Sequence, residues 1–304
     1  MSGSTVFLVN PASDNGATGR RWPQIANAAA SKGLTGDAFF SERPGELGDL
    51  ARRAVEAGAK LLVLVGGDGS VNEVANGIAE QDVEIAVIAR GTGWDFTRTY
   101  GIPHKIDDAI DVALNGVARE IDLGRVTYRS WAGDDDVRWF ANVASVGMSG
   151  AIAQRANNTS KALGGKVSYL WATLAVFARW QVSDVRVSID DVERSGRMHD
   201  VIVANGRYFG GGMMICPEAS SDDGLFDVLL IGDLTKRDLM VTLPKTYRGA
   251  HLPHPKAELL RGSTVTVDAP SPLPVELDGE QPGTTPVRFE IVPRALRVRV
   301  PASY

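Results

Sequence analysis

The chain has 304 residues, of which 44% are hydrophobic and 23% are charged, and its formal net charge is −5. This composition predicts a globular protein of one large or two ordinary domains. The acidic balance argues against a general nucleic-acid-binding protein, which normally carries a basic face, so we expect no nucleic-acid partner. The single cysteine, Cys216, cannot form an internal disulfide and indicates a reducing, cytoplasmic compartment.

The N-terminal sequence lacks a basic segment followed by a long apolar stretch, so we expect no secretion signal. The most apolar later segment, 169–180, is shorter than the roughly 20 residues that a membrane-spanning helix requires. Any contact with a membrane is therefore expected to be peripheral.

Strand and helix patterns alternate along the first part of the chain. The predicted strands are "TVFLVN", "DAFF", "LLVLV" and "IAVIA", and the helices are "GRRWPQIANAAASKG", "PGELGDLARRAVEAGA" and a segment from about Ser70. This alternation predicts a parallel sheet with helices on both faces, which binds ligands at the carboxyl ends of its strands. The segments "NPASDNG", "SERPG", "GGDGS" and "RGTGWDF" should converge at that edge.

The segment "GGDGS" follows a strand that we expect to be buried on both faces. Its glycines, at 66, 67 and 69, should allow positive φ angles and a close approach of the backbone to a ligand. Backbone N–H groups at the start of the next helix would then suit a polyphosphate. Asp68 would repel phosphates unless a cation lay between them, so we interpret it as a group that organises Mg²⁺ or water. An ordinary strand–turn–helix connection is the alternative.

After about residue 120, short strand-like segments separated by turns predict a mostly antiparallel sandwich or barrel. Two helical segments interrupt them, at 166–180 and at "LTKRDLMVTLPKTYRG". The boundary near Asp122 has no flexible linker, so we expect two packed domains, 1–122 and 123–304, with a cleft between them. The last strand is free to return to the first domain. The acidic run at 134–136 is predicted to be a solvated hairpin loop without function.

Five segments resemble the diacylglycerol kinase catalytic family, which includes bacterial lipid kinases and sphingosine kinases. They are "NPAS", "GGDGSVNEVANGI", "GTGWDFTRTYGIP", "ANGRYFGGGMMICPEASSDDGLFDV" and "LDGE", in the expected order across nearly the whole chain. The resemblance implies an α/β nucleotide-binding domain with a parallel sheet and a mostly antiparallel β-sandwich second domain. It implies transfer of the γ-phosphate of ATP, with Mg²⁺, to the hydroxyl of a diacylglycerol-like lipid. A sphingoid or other lipid alcohol as acceptor, or a catalytically weakened lipid- or nucleotide-binding protein, are the alternatives.

The resemblance also assigns residues to sites. It places the general base at Asp278 with Glu280 beside it, the catalytic Mg²⁺ at Asp68, Asp95 and Asp122, and a structural Mg²⁺ at Asp223 with the carbonyls of Ser220 and Leu225. From the residues alone, Asp95 and Asp122 could instead be N-caps or turn acids, and Asp278 before Gly279 is a hairpin-turn dipeptide. The nucleotide site implied by the resemblance consists of Asn10, Pro11, Ala12, Ser13, Asp14, Ser41, Gly66, Gly67, Asp68, Gly69, Ser70, Val71, Asn72, Thr92 and Trp94.

Trp94 departs from the family pattern, which usually has asparagine before the aspartate of this motif. An indole has one hydrogen-bond donor and a large flat face, whereas an amide both donates and accepts. Three outcomes are open: Trp94 stacks on nucleotide or substrate, the site has weakened chemistry, or Trp94 packs under the Asp95 loop.

The expected partners are a lipid substrate and a peripheral membrane surface, and a homodimer is left open. An apolar groove for acyl chains is predicted on the helical run at Tyr169, Trp171, Leu174 and Phe177, although such a stripe also suits a core. The cations nearest to a membrane would be Lys236, Arg237, Lys245, Arg248 and Lys256, which could equally form a solvated helix face.

Overall fold

The computed structural model describes residues 4–91, 93–158, 173, 175–177 and 179–304. The chain divides into two compact units. The first extends to Asp122 and also takes in Arg294–Tyr304, and the second is Leu123–Pro293. The first boundary lies inside a strand rather than in a linker, and the second unit ends before the C-terminus because the last strand pairs within the first unit.

The strands and helices of the first unit are β1 (Ser4–Val9), α1 (Ala17–Ser31), β2 (Asp37–Phe40), α2 (Glu46–Glu56), β3 (Ala59–Gly66), α3 (Asp68–Ile78), β4 (Glu84–Ala89), α4 (Asp95–Thr99), α5 (Ile106–Asn115) and the end of β16 (Glu280–Val300). The strands form a parallel sheet in the order β2-β1-β3-β4-β16, in which only the end of β16 takes part. β3 is buried on both faces, since Leu61 is 8% exposed and the four residues after it are fully buried.

Helices cover both faces of this sheet, as the alternation predicts. On one face, Ile25 of α1 and Ile110 of α5 join a core with apolar residues of β1 and β3. Elsewhere α2 and α3 approach so closely that a side chain on Gly77 would collide with the backbone of Gly48. The sheet and its helices therefore form a rigid base for the loops at the carboxyl ends of the strands.

The second unit is built from antiparallel strands, as predicted. The elements are β5 (Val117–Ser130), β6 (Asp135–Phe140), β7 (Val143–Gly147), α6 (Met148–Asn158), β8 (Ser183–Ile189), β9 (Val192–Ala204), β10 (Tyr208–Phe209), β11 (Met213–Met214), β12 (Phe226–Gly232), α7 (Lys236–Thr246), β13 (Ala257–Gly262), β14 (Thr264–Asp268) and β15 (Pro274–Leu277). The two long strands, β9 and β16, change partners along their length: β9 pairs with β8 and then with β7 and β12, and β16 pairs with β15 and then with β14. Phe140, Phe226 and Phe289 fill the core between the strands.

The acidic run at 134–136 is only partly a loop. Asp134 lies in the turn, but Asp135 and Asp136 begin β6, and Asp136 accepts a hydrogen bond from the Tyr128 hydroxyl at 2.8 Å. The expectation of a loop across all three residues was wrong because the cross-strand partner on β5 extends the ladder to Asp135.

The predicted helix over 166–180 lies mostly outside the described residues. The other predicted helix is α7, which begins with a capping box: Thr235 accepts from the Asp238 N–H, and the Asp238 carboxylate accepts from the Thr235 N–H. Across the described ranges, none of the helices combines the length and the apolar composition needed to cross a bilayer.

Candidate functional site

Loops that follow β1, β3 and β4 meet at the carboxyl edge of the first unit's sheet. The Asn10 amide donates to the Ser70 hydroxyl at 2.9 Å, which joins the first loop to the start of α3. Arg90, directly after β4, forms a 2.5 Å ion pair with Asp14 of the first loop. The Ser41 N–H donates to the Val9 carbonyl at 3.0 Å and brings in the loop after β2. These contacts confirm the predicted convergence and add Arg90, which the motifs did not single out.

The glycines of the "GGDGS" segment have a different role from the one predicted. None of Gly66, Gly67 and Gly69 has a φ in the left-handed region. A Cβ on Gly66 would lie 2.5 Å from the Ser70 hydroxyl oxygen, and Gly67 faces the loop after β4, where Gly91 lies against it. Close packing thus requires a glycine at 66, where Ser70 of α3 leaves no room for a Cβ, whereas a Cβ on Gly67 would make only ordinary contacts with the loop after β4. A Cβ on Gly69 would meet nothing within 4 Å, so this position is open.

α3 begins at Asp68, two residues before the predicted start, so Asp68 lies in its first turn. The Asp68 carboxylate accepts a hydrogen bond from the Phe96 N–H at 3.1 Å and so caps the short helix α4. Burial raises the pKa of Asp68, and the backbone N–H groups of α4 oppose that rise. Asp68 therefore joins the loops after β3 and β4, a structural task that its position in a glycine-rich turn did not suggest.

Asp95 lies next to Asp68 in this arrangement. It is 8% exposed and forms a 2.9 Å ion pair with Arg98 one turn along α4. Gly93 lies against both acids: a Cβ there would collide with the Asp68 carboxylate and would lie 3.8 Å from the Asp95 Oδ2. The structure thus brings two of the three predicted Mg²⁺ ligands together.

Asp122 has a structural partner of its own. Its side chain is 1% exposed and accepts a hydrogen bond from the Arg294 N–H at 2.9 Å, where the chain re-enters the first unit. Within the described residues, no group of three or more His, Cys, Asp or Glu side chains is placed to hold a metal. Asp122 is buried against the returning strand, and its part in a set of three carboxylates that hold Mg²⁺ largely through waters stays a prediction.

Trp94 adopts a left-handed conformation, with φ 59°, immediately before α4. Its ring stacks on His104 with centroids 4.2 Å apart and an interplanar angle of 24°. Asparagine tolerates this backbone conformation well, which gives a reason for the usual family residue that is independent of ligand contact. The indole here packs against a neighbouring loop of the same unit. Thr92 lies outside the described residues.

In the second unit, the "LDGE" segment forms a two-residue hairpin turn between β15 and β16. Asp278 and Gly279 both have positive φ, and Leu277 pairs with Glu280. The Asp278 carboxylate accepts three backbone N–H groups, from Ala141 at 2.7 Å and from residues 142 and 143 at 3.0 Å each. Glu280 is exposed at the start of β16. Asp278 is thus both a turn residue and an anchor for the chain before β7.

Glu276 was missed by the sequence reasoning. It is fully buried, accepts a hydrogen bond from the Ser145 hydroxyl at 2.8 Å, and also accepts from the Gly279 N–H. Burial, together with the nearby charges of Asp278 and Asp200, raises its pKa to about 8. Strand alternation between Val275 and Leu277 would place a glutamate in water, so no local pattern could have indicated its burial.

The predicted structural Mg²⁺ site contains an arginine. Arg261 pairs with the Asp223 carboxylate and lies 3.6 Å from Asp227, while the Leu225 N–H donates to Asp223 at 3.1 Å. The Ser220 hydroxyl donates to Asp222 at 2.6 Å. The Asp223 carboxylate is thus paired with a guanidinium that comes from a distant strand, and its role as a metal ligand stays a prediction.

An apolar cavity of about 90 Å³ lies inside the second unit. α7 provides one wall with Leu239 and Leu243, and β9 and β12 provide another with Ile202 and Leu229. Of the predicted groove residues, Tyr169, Trp171 and Leu174 lie outside the described residues. Phe177 is 7% exposed and packs in a cluster with Leu239. Asp200, Ser149 and His251 also border the cavity, whose surface is almost entirely apolar.

The predicted cationic residues divide into two groups. Lys256 donates to the Asp233 carbonyl and lies 3.4 Å from Asp238, so it is engaged within the unit. The others are exposed on and after α7, beside the exposed apolar residues Met240 and Val241. They are Lys236, Arg237, Lys245 and Arg248.

Comparisons with known proteins agree with this architecture. Residues 4–126 match the family model of the diacylglycerol kinase catalytic domain, and residues 142–300 match that of the YegS C-terminal NAD kinase beta sandwich-like domain. A solved structure described as a diacylglycerol kinase from Bacillus anthracis str. Sterne has a TM-score of 0.75 at 19% identity, covering 100% of this chain and 99% of its own. A second structure from the same organism has a TM-score of 0.82 at 21% identity.

Curated relatives are similar over most of their length. The "Diacylglycerol kinase" of Mycobacterium tuberculosis (strain ATCC 25618 / H37Rv) is 30% identical over 98% of this chain and 96% of its own. The "Probable lipid kinase YegS-like" of Pseudomonas aeruginosa PAO1 is 34% identical over 83% of this chain and 82% of its own. The resemblance predicted from the motifs is confirmed, and a kinase family implies the use of ATP. The chain belongs to the family of diacylglycerol kinase-like lipid kinases.

Proposed function

We propose that this protein transfers the γ-phosphate of ATP to the hydroxyl of a diacylglycerol-like lipid. The observation that carries the lipid part of the proposal is the apolar cavity of the second unit. A kinase for a water-soluble acceptor has no need of a cavity walled by leucine, isoleucine and methionine side chains, whereas an acyl chain requires one.

The first unit would hold the nucleotide. The first turn of α3 offers backbone N–H groups, and the open position at Gly69 leaves room for phosphate oxygens against them. The Ser70 hydroxyl and the Asn10 amide lie beside that turn, joined by their own hydrogen bond. This arrangement supports binding of the ATP phosphates at the edge of the sheet.

Asp68 and Asp95 would hold Mg²⁺ in this proposal. Their oxygen donors suit the ion, which is commonly bound by one or two carboxylates together with water and phosphate oxygens. When bound, the metal would neutralise charge on the transferring phosphoryl group. Asp122 is left out because its carboxylate holds the returning strand.

Asp278 remains the proposed general base, with Glu280 beside it. Three backbone N–H bonds fix the orientation of the Asp278 carboxylate. A base must lie within about 3 Å of the oxygen whose proton it takes, so the fixed carboxylate serves this role when the lipid hydroxyl comes that close to it.

α7 is the proposed membrane-docking surface. Its inner residues Leu239 and Leu243 line the cavity, while Met240 and Val241 are 71% and 54% exposed on the outer side. Exposed cations flank these apolar residues, and each can contribute about 1 kcal/mol near an anionic bilayer. Peripheral docking through this helix would bring the cavity wall to the source of the lipid.

A phosphorylation assay with labelled ATP and a panel of lipids in mixed micelles tests the function. We expect transfer to diacylglycerol that exceeds transfer to sphingoid bases and polyprenyl alcohols. A preference for sphingoid bases would show that the acceptor is a sphingoid lipid rather than diacylglycerol. Binding of ATP without transfer to any lipid would indicate a nucleotide-binding protein without kinase activity.

Vesicle co-sedimentation tests the docking surface. Replacing Met240 and Val241 by glutamate should weaken binding to anionic vesicles, because it removes apolar contact and adds like charge. Val192→Glu is the matched control, since Val192 is also exposed, at 41%, but lies in a β-hairpin. Equal losses in both variants would assign no role to α7.

A further inference from the structure

The hairpin turn that carries Asp278 is fixed by hydrogen bonds on both sides of that residue. The Asp278 N–H donates to the Val143 carbonyl at 3.0 Å, and the N–H of the next residue, Gly279, donates to the Glu276 Oε1. The two peptide groups that flank the Asp278 Cα are therefore held by different partners, the first by the backbone of β7 and the second by the Glu276 side chain. The backbone conformation of Asp278 depends on both.

The bond to Glu276 selects one of two turn geometries. Hairpin turns of types I′ and II′ share a positive φ at the first central residue and differ at the second. Here Asp278 has φ 48° and Gly279 has φ 92°, which corresponds to type I′. Glycine permits either sign of φ, and a Cβ on Gly279 would meet nothing within 4 Å, so atoms on that side do not impose the conformation. The bond from the Gly279 N–H to Glu276 holds the central peptide of the turn in the type I′ orientation.

The Glu276 side chain is itself held in place. Glu276 lies opposite Ser145 of β7, the Ser145 hydroxyl donates to the Glu276 Oε2 at 2.8 Å, and both residues are fully buried. The register between β15 and β16 shifts between Val275 and Leu277, where Glu276 lies. Shifts of this kind, as in β-bulges, re-aim a side chain and are common beside active sites. Each carboxyl oxygen of Glu276 thus has its own partner, one on β7 and one in the turn.

A second hairpin in the same unit shows that a turn anchored by aspartate does not need such a glutamate. Asp190 is the first residue of the turn between β8 and β9, has φ 47°, and accepts two backbone N–H groups at the start of β14, much as Asp278 accepts those before β7. Two positions before Asp190 stands Ser188, which is only partly buried. Because burying a carboxyl is unfavourable, Glu276 exceeds what the anchoring of a turn requires.

We infer that Glu276 is a positioning residue for Asp278: through the Gly279 N–H, it fixes the orientation in which the Asp278 carboxylate takes the proton of the lipid hydroxyl. The inference rests on the proposed function, in which Asp278 is the base. Burial above all raises the pKa of Glu276 to about 8, so Glu276 is uncharged at neutral pH and adds no second charge beside the base. Glutamine can therefore take its place, with its carbonyl accepting from Gly279 and its amide donating to the Ser145 hydroxyl oxygen.

The experiment measures kcat and the KM for ATP in Glu276→Leu and Glu276→Gln. Leucine suits a buried strand position but offers no acceptor. We expect Glu276→Leu to lower kcat by about tenfold to 10²-fold, the effect of displacing a catalytic group by about an ångström. The KM for ATP should stay unchanged, because the residues proposed to bind ATP belong to the first unit. Glu276→Gln should restore most of kcat. A wild-type kcat in Glu276→Leu, or a Glu276→Gln that is equally slow, would overturn the inference.

Ser188→Leu is the matched control, since Ser188 has the same place before the turn at Asp190. Its kcat should equal that of wild type, and a loss as large as that of Glu276→Leu would assign the effect to packing and overturn the inference. If Glu276→Leu does not fold, Ser145→Ala replaces it, because this change removes the other partner of Glu276 with little loss of volume. It should lower kcat in the same direction, and an unchanged kcat would count against the inference.

The double variant tests whether Glu276 acts through Asp278. Residues that act as a unit have non-additive effects on kcat, so Glu276→Leu should cost little more once Asp278→Asn has removed the base. A further loss equal to that of Glu276→Leu alone would show that Glu276 acts independently of Asp278, which would overturn the inference. A wild-type kcat in Asp278→Asn alone would instead show that the proposed function has the wrong base.

Hydrogen–deuterium exchange separates this inference from the proposed function, because it needs no substrate. In Glu276→Leu the Gly279 N–H loses its acceptor, so a peptide that spans 277–280 should exchange faster than in wild type and in Ser188→Leu. If wild type phosphorylates no lipid but this difference is found, the kinase proposal fails and the control of the turn by Glu276 stands. Turnover by wild type with equal exchange in all three proteins would refute the positioning role alone.

Discussion

Asp278→Asn should destabilise the protein as well as slow it, because the carboxylate is an anchor for backbone groups. In the wild type, Oδ1 accepts the N–H groups of residues 142 and 143, and Oδ2 accepts that of Ala141. An amide can keep the first two bonds only in a weaker, uncharged form, and it then points its own N–H at the Ala141 N–H.

The magnitude follows from these contacts. A hydrogen bond to a charged group contributes about 1.5–3 kcal/mol and a neutral one about 0.5–1.5 kcal/mol. Losing one charged bond and weakening two others, in a half-buried position, should cost about 2–4 kcal/mol. For a unit of this size, that free energy corresponds to a fall in Tm of about 5–15 °C.

Thermal unfolding followed by circular dichroism measures the loss, and kinetics well below the transition measure the chemistry. Glu280→Gln is the matched control, since Glu280 is exposed two residues away and its change should stay within about 0.5 kcal/mol. A Tm for Asp278→Asn within a degree of wild type would refute the anchoring argument. A fall in kcat of about 10²- to 10⁴-fold in still-folded protein would support a general base in addition.

Three further outcomes are expected. Between its ordinary pKa and about 8, Glu276 is protonated in the folded protein and ionised in the unfolded chain, so the free energy of unfolding should fall by up to about 1.4 kcal/mol per pH unit as pH rises through that window. Glu276→Gln should flatten the dependence of urea midpoints on pH. An unaltered slope would be evidence against a buried protonated carboxyl. Trp94→Asn should lose about 0.5–1.5 kcal/mol of stacking on His104. Part of this free energy should be regained because asparagine tolerates the left-handed backbone conformation at this position. A large change in ATP affinity without a change in stability would instead indicate that Trp94 contacts the ligand. Asp68→Ala should remove the cap from the Phe96 N–H, at a cost of about 1 kcal/mol, as well as abolish transfer; a variant of unchanged stability would contradict the capping role.

Much of this protein could be predicted from local patterns. The βα alternation, the convergence of loops after β1, β3 and β4, and the change to antiparallel strands all depend on the spacing of apolar residues and turns within short windows. Membership in the lipid kinase family rested on motif order, which is likewise contained in the chain. Asp278 in a hairpin turn also followed from its dipeptide with Gly279.

The contacts that these residues make depend on the folded chain. Asp122 accepts a hydrogen bond from the Arg294 N–H, Asp223 forms an ion pair with Arg261, and Asp278 accepts hydrogen bonds from the chain before β7. Each partner lies tens of residues or more away in sequence. Gly66 is needed because Ser70 packs against it, a requirement that φ preferences do not express.

The burial of carboxyl groups shows most clearly the difference between what local sequence patterns indicate and what depends on the tertiary structure. Glu276 and Asp200 lie on strands where a charged residue normally indicates a solvent-exposed face, yet both are buried and have strongly raised pKa values. The ionisation of a carboxyl depends on the water removed around it, and that depends on which elements cover the strand. The fold class and the kinase family therefore follow from the order of residues along the chain, whereas the burial of Glu276 and Asp200 depends on which strands and helices pack over them.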